Sequence, residues 1–299
     1  MKLSKIVKRV KSLLKEKKLF LDDETAVGQA TLWSLEGGKC LRPAIVYFVS
    51  EALKDASKDQ LNISVDGAAL AIEMLHTSSL IADDMPSMDN DLVRRGKEAT
   101  HAKFGEAVAY LASYRLIAAS YHCLAENGKK LAKTFPDAMD RYTKALQILS
   151  LKSMEITTGQ FYDLNPEKST SLDELIALKT TSLFQAAFAL GWLFGGGAME
   201  KLDDLEKAAY HFGQAFQIAD DLDDASHDLS QNAANWAGEF GVESAIKDLK
   251  AHIKNAEALL EDLGIFSEDI RALTKALYTS TSSTSALTAV SEEALPALS

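Results

Sequence analysis

The chain has 299 residues, of which 47% are hydrophobic and 25% are charged, and it carries a formal net charge of −11. This length and composition allow a substantial core, in one large domain or in two smaller ones. The negative charge argues against a nucleic acid as partner. Two cysteines, Cys40 and Cys123, cannot form a disulfide framework, so we expect a protein of a reducing compartment, the cytoplasm.

The first twenty residues are rich in lysine, and apolar residues recur among them at helical spacing. This pattern predicts a basic amphipathic helix over residues 1–20. Such a helix either has a membrane-surface or transit role or is a first helix with one solvated face. It lacks the unbroken apolar core of a secretory signal. A second apolar run, Ser182 to Met199, is nearly long enough to span a membrane. Its glycines favour a buried central helix, so no membrane span is expected.

Helical patterns dominate the rest of the chain, and we find no strand-like alternation combined with a hairpin turn. Pro43 begins one helix, although residues 45–49 could also form a buried strand. Ser171 and Glu174 form a capping box at the head of another. The predicted helices are Asp23–Glu36, Pro43–Leu53, Val65–Ala82, Glu106–Glu126, Pro136–Thr158, Leu172–Phe194, Leu202–Asp224 and Glu243–Leu263.

No internal repeat and no linker divides these helices into separate units. The sequence therefore predicts one all-α domain over residues 1–299, a single large helical bundle. Its tail, residues 279–299, is rich in serine and threonine and is expected to fray.

The first candidate site is an acidic cluster formed by Asp83, Asp84, Asp89 and Asp91, here called the first acidic cluster. Four carboxylates within nine residues repel one another unless cations neutralise them, and oxygen ligands of this kind suit Mg²⁺. Pro86 implies that the preceding helix ends near Asp84, so that Asp89 can approach the same ions. Acidic clusters at helix ends are usually solvated surface, but here an apolar segment leads directly into the cluster.

A second acidic cluster, formed by Asp220, Asp221, Asp223 and Asp224, ends another predicted helix. Asp220 and Asp224 share one helix face, and Asp221 lies on its flank. An apolar helix again leads up to the carboxylates. Together, the two clusters indicate a cavity with metal sites on opposite walls.

Basic residues supply candidate anion sites near both clusters. Lys39 and Arg42 follow a glycine turn, Gly37-Gly38, that leads into a helix N-terminus, which is a natural phosphate site. Arg94 and Arg95 follow the first acidic cluster and either bind diphosphate oxygens or merely balance the aspartates. His76 lies two helical turns before that cluster, and a lone helical histidine is more often structural than a ligand.

At these positions the sequence resembles the trans-prenyltransferase family, the polyprenyl diphosphate synthases that make farnesyl and geranylgeranyl diphosphates. The resemblance runs from about residue 28 to residue 263. It rests on motifs in the family's order, namely GGKCLRP, HTSSLIADDMPSMDNDLVRRG, THAKFGEAVAYL, GQFYDL, LKTTSLFQAA and GQAFQIADDLDD. It implies a helical bundle around a deep apolar cavity, usually as a homodimer.

The resemblance also implies roles for individual residues. The matched metal ligands are Asp83, Asp84, Asp89, Asp220, Asp221 and Asp224. The isopentenyl diphosphate pocket is matched by Lys39, Arg42, His76 and Arg95, and the allylic diphosphate site by Arg94, Lys179 and Thr180. Further substrate-binding residues are Gln160 and Asp163, on a helix that faces the cavity, and Gln217. The predicted catalytic residues are Asp83, Asp84, Lys179 and Asp220.

The implied reaction depends on Mg²⁺. Three ions between the two clusters would neutralise the leaving diphosphate, the allylic C–O bond would ionise, and the isopentenyl double bond would attack the cation. By the same resemblance, a bulky aromatic residue five positions before the first aspartate stops the product at fifteen carbons. Ser78 stands there beside Ser79, and Leu75 lies about one turn below. We therefore expect geranylgeranyl diphosphate, with farnesyl diphosphate as the alternative if Leu111 or Tyr114 narrows the cavity.

The sequence departs from the family pattern after the second acidic cluster, where a loop with two lysines is expected. No lysine or arginine occurs between residues 208 and 246, and His227 is the only cationic candidate near the cluster. We expect residues 225–236 to be mobile without ligand. Two alternatives follow, a non-catalytic subunit that pairs with an active partner and a terpene cyclase. A cyclase would not need the isopentenyl diphosphate pocket, which argues against it.

Overall fold

The structure, a computed structural model, describes residues 3–16, 23–53, 65–133, 135–165, 171–225 and 235–280. Most of the described chain is helical, as the sequence predicted. The longer helices are α1 (Leu3–Glu16), α2 (Ala26–Leu35), α3 (Leu41–Ala52), α4 (Asp66–Asp83), α6 (Glu106–Leu131), α7 (Ala138–Leu164), α9 (Ser182–Gly195), α10 (Leu202–Ala225), α12 (Val242–Asp262) and α13 (Glu268–Ser280). The short helices are α5 (Thr100–Phe104), α8 (Leu172–Ile176), α11 (Trp236–Phe240) and a 3₁₀ turn (Met199–Lys201).

Most predicted helices have boundaries within a few residues of those observed, and two run further than predicted. The helix α6 continues to Leu131 and α7 to Leu164. The segment after Pro43 is helical, so the alternative of a buried strand is wrong. The predicted helix Leu172–Phe194 is interrupted by a π-helical turn, Ala177–Thr181, that its apolar pattern did not reveal.

The helix α9 forms the centre of the bundle, where it contacts α3, α4, α7 and α10. It carries no charged side chain, and nearly all of its side chains are buried. Gly191 allows the close approach of α3, since a Cβ there would lie 2.7 Å from the carbonyl oxygen of Val46. Among the described helices, Leu172–Gly195 is the one segment long and apolar enough to span a membrane, and most of it is buried within the fold. This burial fits the predicted central helix.

The basic helix α1 packs on the bundle through one face, which buries Ile6, Val10 and Leu13. Arg9 extends from the same helix to Asp66 at the start of α4, with 2.5 Å between Nη2 and Oδ2. The helix is thus a first helix of the fold with one solvated face, the second of the two interpretations of its sequence.

A small antiparallel hairpin joins the first acidic cluster to α5, with strands β1 (Val93–Arg94) and β2 (Lys97–Glu98). Arg95 and Gly96 form its two-residue turn, and both have positive φ, 55° and 73°, as a type I′ turn requires. The indole of Trp33 donates to the carbonyl of Glu98 at 3.1 Å and so holds the hairpin against α2. The sequence did not predict this hairpin because strands of two residues are too short to show alternation.

Candidate functional site

A cavity of about 730 Å³ opens between the end of α4, the turn before α3 and the end of α10. Its lining includes many of the residues that the sequence predicted for binding, namely Lys39, Arg42, His76, Arg94, Arg95, Thr180, Gln217 and Asp220. They come from segments far apart in the chain, so only the packing of the helices brings them together.

The first acidic cluster begins where α4 ends, as Pro86 suggested. The amide of Asp84 closes the last helical turn on the carbonyl of Leu80, and the amide of Asp89 then returns to the carbonyl of Asp83 at 2.9 Å. Asp84 is only 2% exposed, and its Oδ1 accepts two hydrogen bonds from Arg94, at 2.8 Å from Nε and 2.5 Å from Nη2. The turn therefore places Asp84 in a protein environment and leaves Asp89 and Asp91 exposed.

Asp83 and Asp84 have too little positive charge around them to offset their burial. Burial raises the pKa of Asp83 to about 7, Lys179 opposes that rise, and Asp89 and Asp84 add to it. Burial also raises the pKa of Asp84, although Arg94 acts in the opposite direction. A bound cation would favour the ionised forms of these carboxyls.

Opposite the cluster, α7 and the π-helical turn present the next predicted residues. The Nε2 of Gln160 lies 3.5 Å from Oδ1 of Asp89, and Lys179 forms an ion pair with Asp163. Glycines on both sides leave room for the π-helical turn, because a Cβ on Gly159 would lie 2.6 Å from the amide nitrogen of Lys179 and one on Gly213 would lie 2.8 Å from atoms of Thr181. Turns of this type occur often at functional sites.

In the second acidic cluster, Asp220 and Asp221 have different surroundings. Asp220 is exposed and lines the cavity. Asp221 is only 5% exposed, and its two carboxylate oxygens accept hydrogen bonds from Nε2 of Gln217 at 2.8 Å and from the amide of Trp236 at 2.7 Å. This geometry does not support the predicted role of Asp221 as a metal ligand. The side chain of Asp224 and the segment 226–234, with His227, lie outside the described residues.

Gln217 connects this cluster to the π-helical turn, since its Oε1 accepts a hydrogen bond from Oγ1 of Thr180 at 2.7 Å. One amide thus holds both Thr180 and Asp221. The predicted substrate-binding residue has a structural function as well, which its position before the cluster did not reveal.

The predicted isopentenyl diphosphate pocket forms the other end of the cavity. Nη1 of Arg42 lies 3.3 Å from Nε2 of His76, and its guanidinium lies over the ring of Phe184, 4.4 Å from the centroid. Burial lowers the pKa of Arg42 to about 10. Burial and neighbouring arginines, Arg42 first, lower the pKa of His76 well below its ordinary value, so the imidazole is neutral at pH 7. Lys39 is exposed at the mouth.

The sequence analysis missed Glu73 as a residue of this pocket. Its carboxylate is 2% exposed and lines the cavity beside Arg42 and Arg95. A signal was present in the sequence, because an acidic residue three positions before His76 lies on the same face of an otherwise apolar helix.

The predicted chain-length residues lie on α4, below the first acidic cluster. Ser78 and Leu75 are buried, and the carbonyl of Ser78 accepts a hydrogen bond from Oγ of Ser113 on α6 at 3.1 Å. Ser79 is half-buried. Leu111 and Tyr114 are 52% and 65% exposed. Ser113 is the residue of α6 whose side chain contacts Ser78. The alternative that Leu111 or Tyr114 narrows the cavity stays a prediction.

The model of the polyprenyl synthetase family matches residues 26–238. The chain belongs to this family. The trans-prenyltransferase of African swine fever virus is 32% identical over 253 residues, which are 83% of this chain and 75% of the viral protein. The geranylgeranyl diphosphate synthase of Pseudescherichia vulneris is 31% identical over 230 residues, 74% of this chain and 72% of that enzyme.

The fold agrees with this assignment. The solved structure of an FPP/GFPP synthase from Zymomonas mobilis is 30% identical and superposes with a TM-score of 0.76, over 92% of this chain and 95% of that one. The chain is therefore a prenyltransferase, a trans-prenyl diphosphate synthase with the all-α fold of isoprenoid synthases, as the resemblance implied.

The acidic residues of this synthase suit a metal ion that arrives with its substrate. Among the described residues, no three or more Asp, Glu, His or Cys side chains converge as a site made of protein ligands alone would need. Mg²⁺ is usually held by one or two carboxylates together with substrate phosphates and water. Asp83, which is short of positive charge, and the neighbouring Asp89 match that donor set.

Proposed function

We propose that this enzyme joins isopentenyl diphosphate to an allylic diphosphate (dimethylallyl, geranyl or farnesyl) with the help of Mg²⁺, and that its main product is geranylgeranyl diphosphate. The supporting observation is the single cavity in which the basic residues Lys39, Arg42 and Arg95 lie opposite Asp220. Two diphosphates can bind at different ends of such a cavity, so that their hydrocarbon chains meet between them.

Isopentenyl diphosphate would bind at the end formed by Lys39, Arg42, His76 and Arg95. Guanidinium groups donate in pairs to phosphate oxygens and fix the orientation of the anion. The neutral imidazole of His76 can donate one further hydrogen bond without adding charge. These residues would hold the isopentenyl double bond towards the allylic carbon and exclude water from it.

The allylic diphosphate would bind between the two acidic clusters, where Arg94, Lys179, Thr180 and Gln217 supply donors. Three Mg²⁺ ions would neutralise the leaving diphosphate when bound, with Asp83, Asp84, Asp89, Asp220 and Asp224 as the proposed ligands. Asp163 would hold the ammonium of Lys179 in place through their ion pair, and Gln160 would support Asp89.

One assay with three arms tests this reaction, one arm for each allylic primer. The purified enzyme is incubated with isopentenyl diphosphate and labelled dimethylallyl, geranyl or farnesyl diphosphate, each with Mg²⁺ or with a chelator, and the products are separated by chain length. We expect one product of twenty carbons that requires Mg²⁺. Farnesyl diphosphate made from shorter primers, and no elongation of farnesyl diphosphate itself, would contradict the proposed product. Activity in the presence of chelator would contradict the proposed metal.

The small side chains below the first acidic cluster support the proposed product length. Ser78 and Ser113 put small side chains where α4 and α6 meet, and Leu75 lies about one helical turn further down, roughly the length of one isoprene unit. We expect Ser78→Tyr to shorten the product to fifteen carbons and Leu75→Ala to lengthen it. Tyr114→Phe changes an exposed side chain and is the control that should leave the product unchanged.

A homodimer is also proposed, because α6 and α7 each expose large apolar side chains, namely Tyr110, Leu111, Tyr114, Leu151, Met154 and Phe161. Soluble proteins rarely leave such a surface uncovered. Light scattering during gel filtration should give twice the mass of the chain, and Met154→Glu should reduce the measured mass.

We likewise propose one domain over residues 1–299. We propose the cytoplasm as its location, where the two buried free cysteines would stay reduced.

A further inference from the structure

Glu73 places a carboxylate in a cavity that is proposed to bind anions. It lies in the middle of α4, is only 2% exposed, and shares the cavity lining with Arg42, His76 and Arg95. A buried carboxylate at this point repels a diphosphate. Its presence is explained if it holds the groups that bind the diphosphate.

Arg95 is held from two sides. Its Nη1 donates to the carbonyl of Ser34 at 2.9 Å, and its Nη2 lies 3.5 Å from Oε1 of Glu73. The residue also has a positive φ of 55°, which is unfavourable for a side chain of this size. The contacts of its guanidinium thus help to hold the hairpin turn as well as the side chain.

The carboxylate of Glu73 also attracts the guanidinium of Arg42. Its Nε is buried and finds no hydrogen-bond acceptor among the described residues. Glu73 is the strongest of the groups that favour its charged form, whereas Arg95 repels it. Two half-buried guanidinium groups near one another therefore have Glu73 as a shared counter-charge. The attraction is mutual, because burial raises the pKa of Glu73 while Arg95 and Arg42 act in the opposite direction.

The glycine turn before α3 leaves the space that Glu73 needs. A Cβ on Gly38 would lie 2.5 Å from Oε1 of Glu73 and 3.2 Å from Nη1 of Arg95. Any side chain at this position would push the carboxylate or the guanidinium away, so the glycine, Glu73 and Arg95 fit together as a set.

We propose that Glu73 is a positioning residue, which holds the guanidinium groups of Arg42 and Arg95 in the arrangement that receives the diphosphate of isopentenyl diphosphate. The inference rests on the proposed function of this pocket. Glu73 would not contact the substrate itself. Its loss would weaken the binding of isopentenyl diphosphate only, because the allylic diphosphate is proposed to bind through Arg94 and Lys179.

The test is the Michaelis constant of each substrate in Glu73→Gln. Glutamine keeps the shape but offers one acceptor oxygen and turns an NH₂ group towards guanidinium donors. We expect the KM for isopentenyl diphosphate to rise about tenfold or more, because both guanidinium groups lose the counter-charge that holds them in place. The KM for farnesyl diphosphate should stay within about twofold. Glu73→Asp, which keeps the charge but shortens the side chain, should recover part of the loss.

Asp66→Asn is the matched control. Asp66 is a second buried carboxylate on α4 that binds an arginine, Arg9, but it lies at the other end of the helix. Its loss should lower the melting temperature without changing either KM. A purely structural role of Glu73 would give this result too, so an unchanged KM in Glu73→Gln overturns the inference.

Gly38→Ala provides a second line of evidence that keeps the carboxylate. It should raise the KM for isopentenyl diphosphate by displacing Glu73 and Arg95. If Glu73→Gln does not fold, Gly38→Ala tests the inference by itself. A lower KM for isopentenyl diphosphate in Glu73→Gln would also overturn the inference, because Glu73 would then only repel the anion. If the wild-type enzyme does not use isopentenyl diphosphate at all, the proposed function is wrong, and so is the role proposed for Glu73.

Discussion

The two acidic clusters have similar sequences but different surroundings. In the first, Asp83 and Asp84 are buried or half-buried, and burial raises the pKa of both carboxyls. In the second, Asp221 has both oxygens occupied by donors of the protein, while Asp220 stands exposed at the cavity. A run of aspartates therefore contains residues with different functions, and the packing of each carboxylate decides which function it has.

The first cluster is short of positive charge, whereas the second stabilises its own part of the fold. A cation would relieve the first cluster, and loss of the Asp83 carboxylate should make the unliganded protein no less stable. Loss of Asp221 from the second cluster would leave the amide of Trp236 and the side chain of Gln217 without their acceptor. The following predictions test this difference.

The largest effect is expected on turnover. Asp83→Asn and Asp220→Asn should each lower kcat by about three orders of magnitude, since a carboxylate that holds a metal supports several kcal/mol of transition-state stabilisation. The helix content, measured by circular dichroism, should stay unchanged. Asp91→Asn is the control, because Asp91 is half exposed at the rim of the first cluster and pairs with Arg94. Turnover near the wild-type value in Asp83→Asn would refute the assignment of the metal to the first cluster.

A smaller effect is expected on stability, with opposite signs in the two clusters. Asp221→Asn should lower the free energy of unfolding by about 1–3 kcal/mol, because a buried donor loses its acceptor. Asp83→Asn should leave that free energy unchanged or raise it at pH 8, since it removes a partly buried charge. Denaturant titrations of both variants without Mg²⁺ give the two values. Equal destabilisation by the two substitutions would remove the distinction between the clusters.

Rising pH should weaken the first cluster. The folded pKa of Asp83, about 7, lies above its ordinary value of 3.8, so between these values the folded chain binds a proton that the unfolded chain has released. The contribution of Asp83 to stability is therefore lost as pH rises from about 4 towards 7. The melting temperature of the wild type should fall relative to that of Asp83→Asn over this interval, and Mg²⁺ with diphosphate should offset the fall. Parallel curves for the two proteins would contradict the raised pKa.

Falling pH should lower the stability of the packing between α10, which carries the second cluster, and α12. His211 on α10 and His252 on α12 lie with their Nδ1 atoms 3.0 Å apart, a hydrogen bond that needs at least one neutral ring. Burial lowers the pKa of both, and for His252 the neighbouring His211 adds to this effect. Because both folded pKa values lie below 6.5, the unfolded chain binds more protons under mild acid, and stability is lost as pH falls through 6.5.

This is the smallest expected effect, because both rings are only partly buried. Melting temperatures of the wild type and of His252→Gln should converge between pH 7.5 and pH 5.5. A constant difference between the two proteins across that interval would show that the pair does not titrate.

The sequence by itself determined the helical architecture and the places where chemistry could occur. Hydrophobic periodicity, Pro43, Pro86 and the capping box at Ser171 act within a few residues, so the helices and the end of α4 could be predicted from local patterns. The motifs of the family then named the acidic and basic residues of the cavity.

Only the tertiary structure decided what each of those residues contacts. The hairpin that carries Arg94 and Arg95, the π-helical turn that carries Lys179, and the burial of Asp221 all depend on segments that are distant in the chain. Glu73 is a further case, because an acidic residue on a helix becomes a counter-charge only when two arginines pack beside it. Local patterns specify secondary structure, whereas pKa values and hydrogen-bond partners are set by packing between elements, which no single segment encodes.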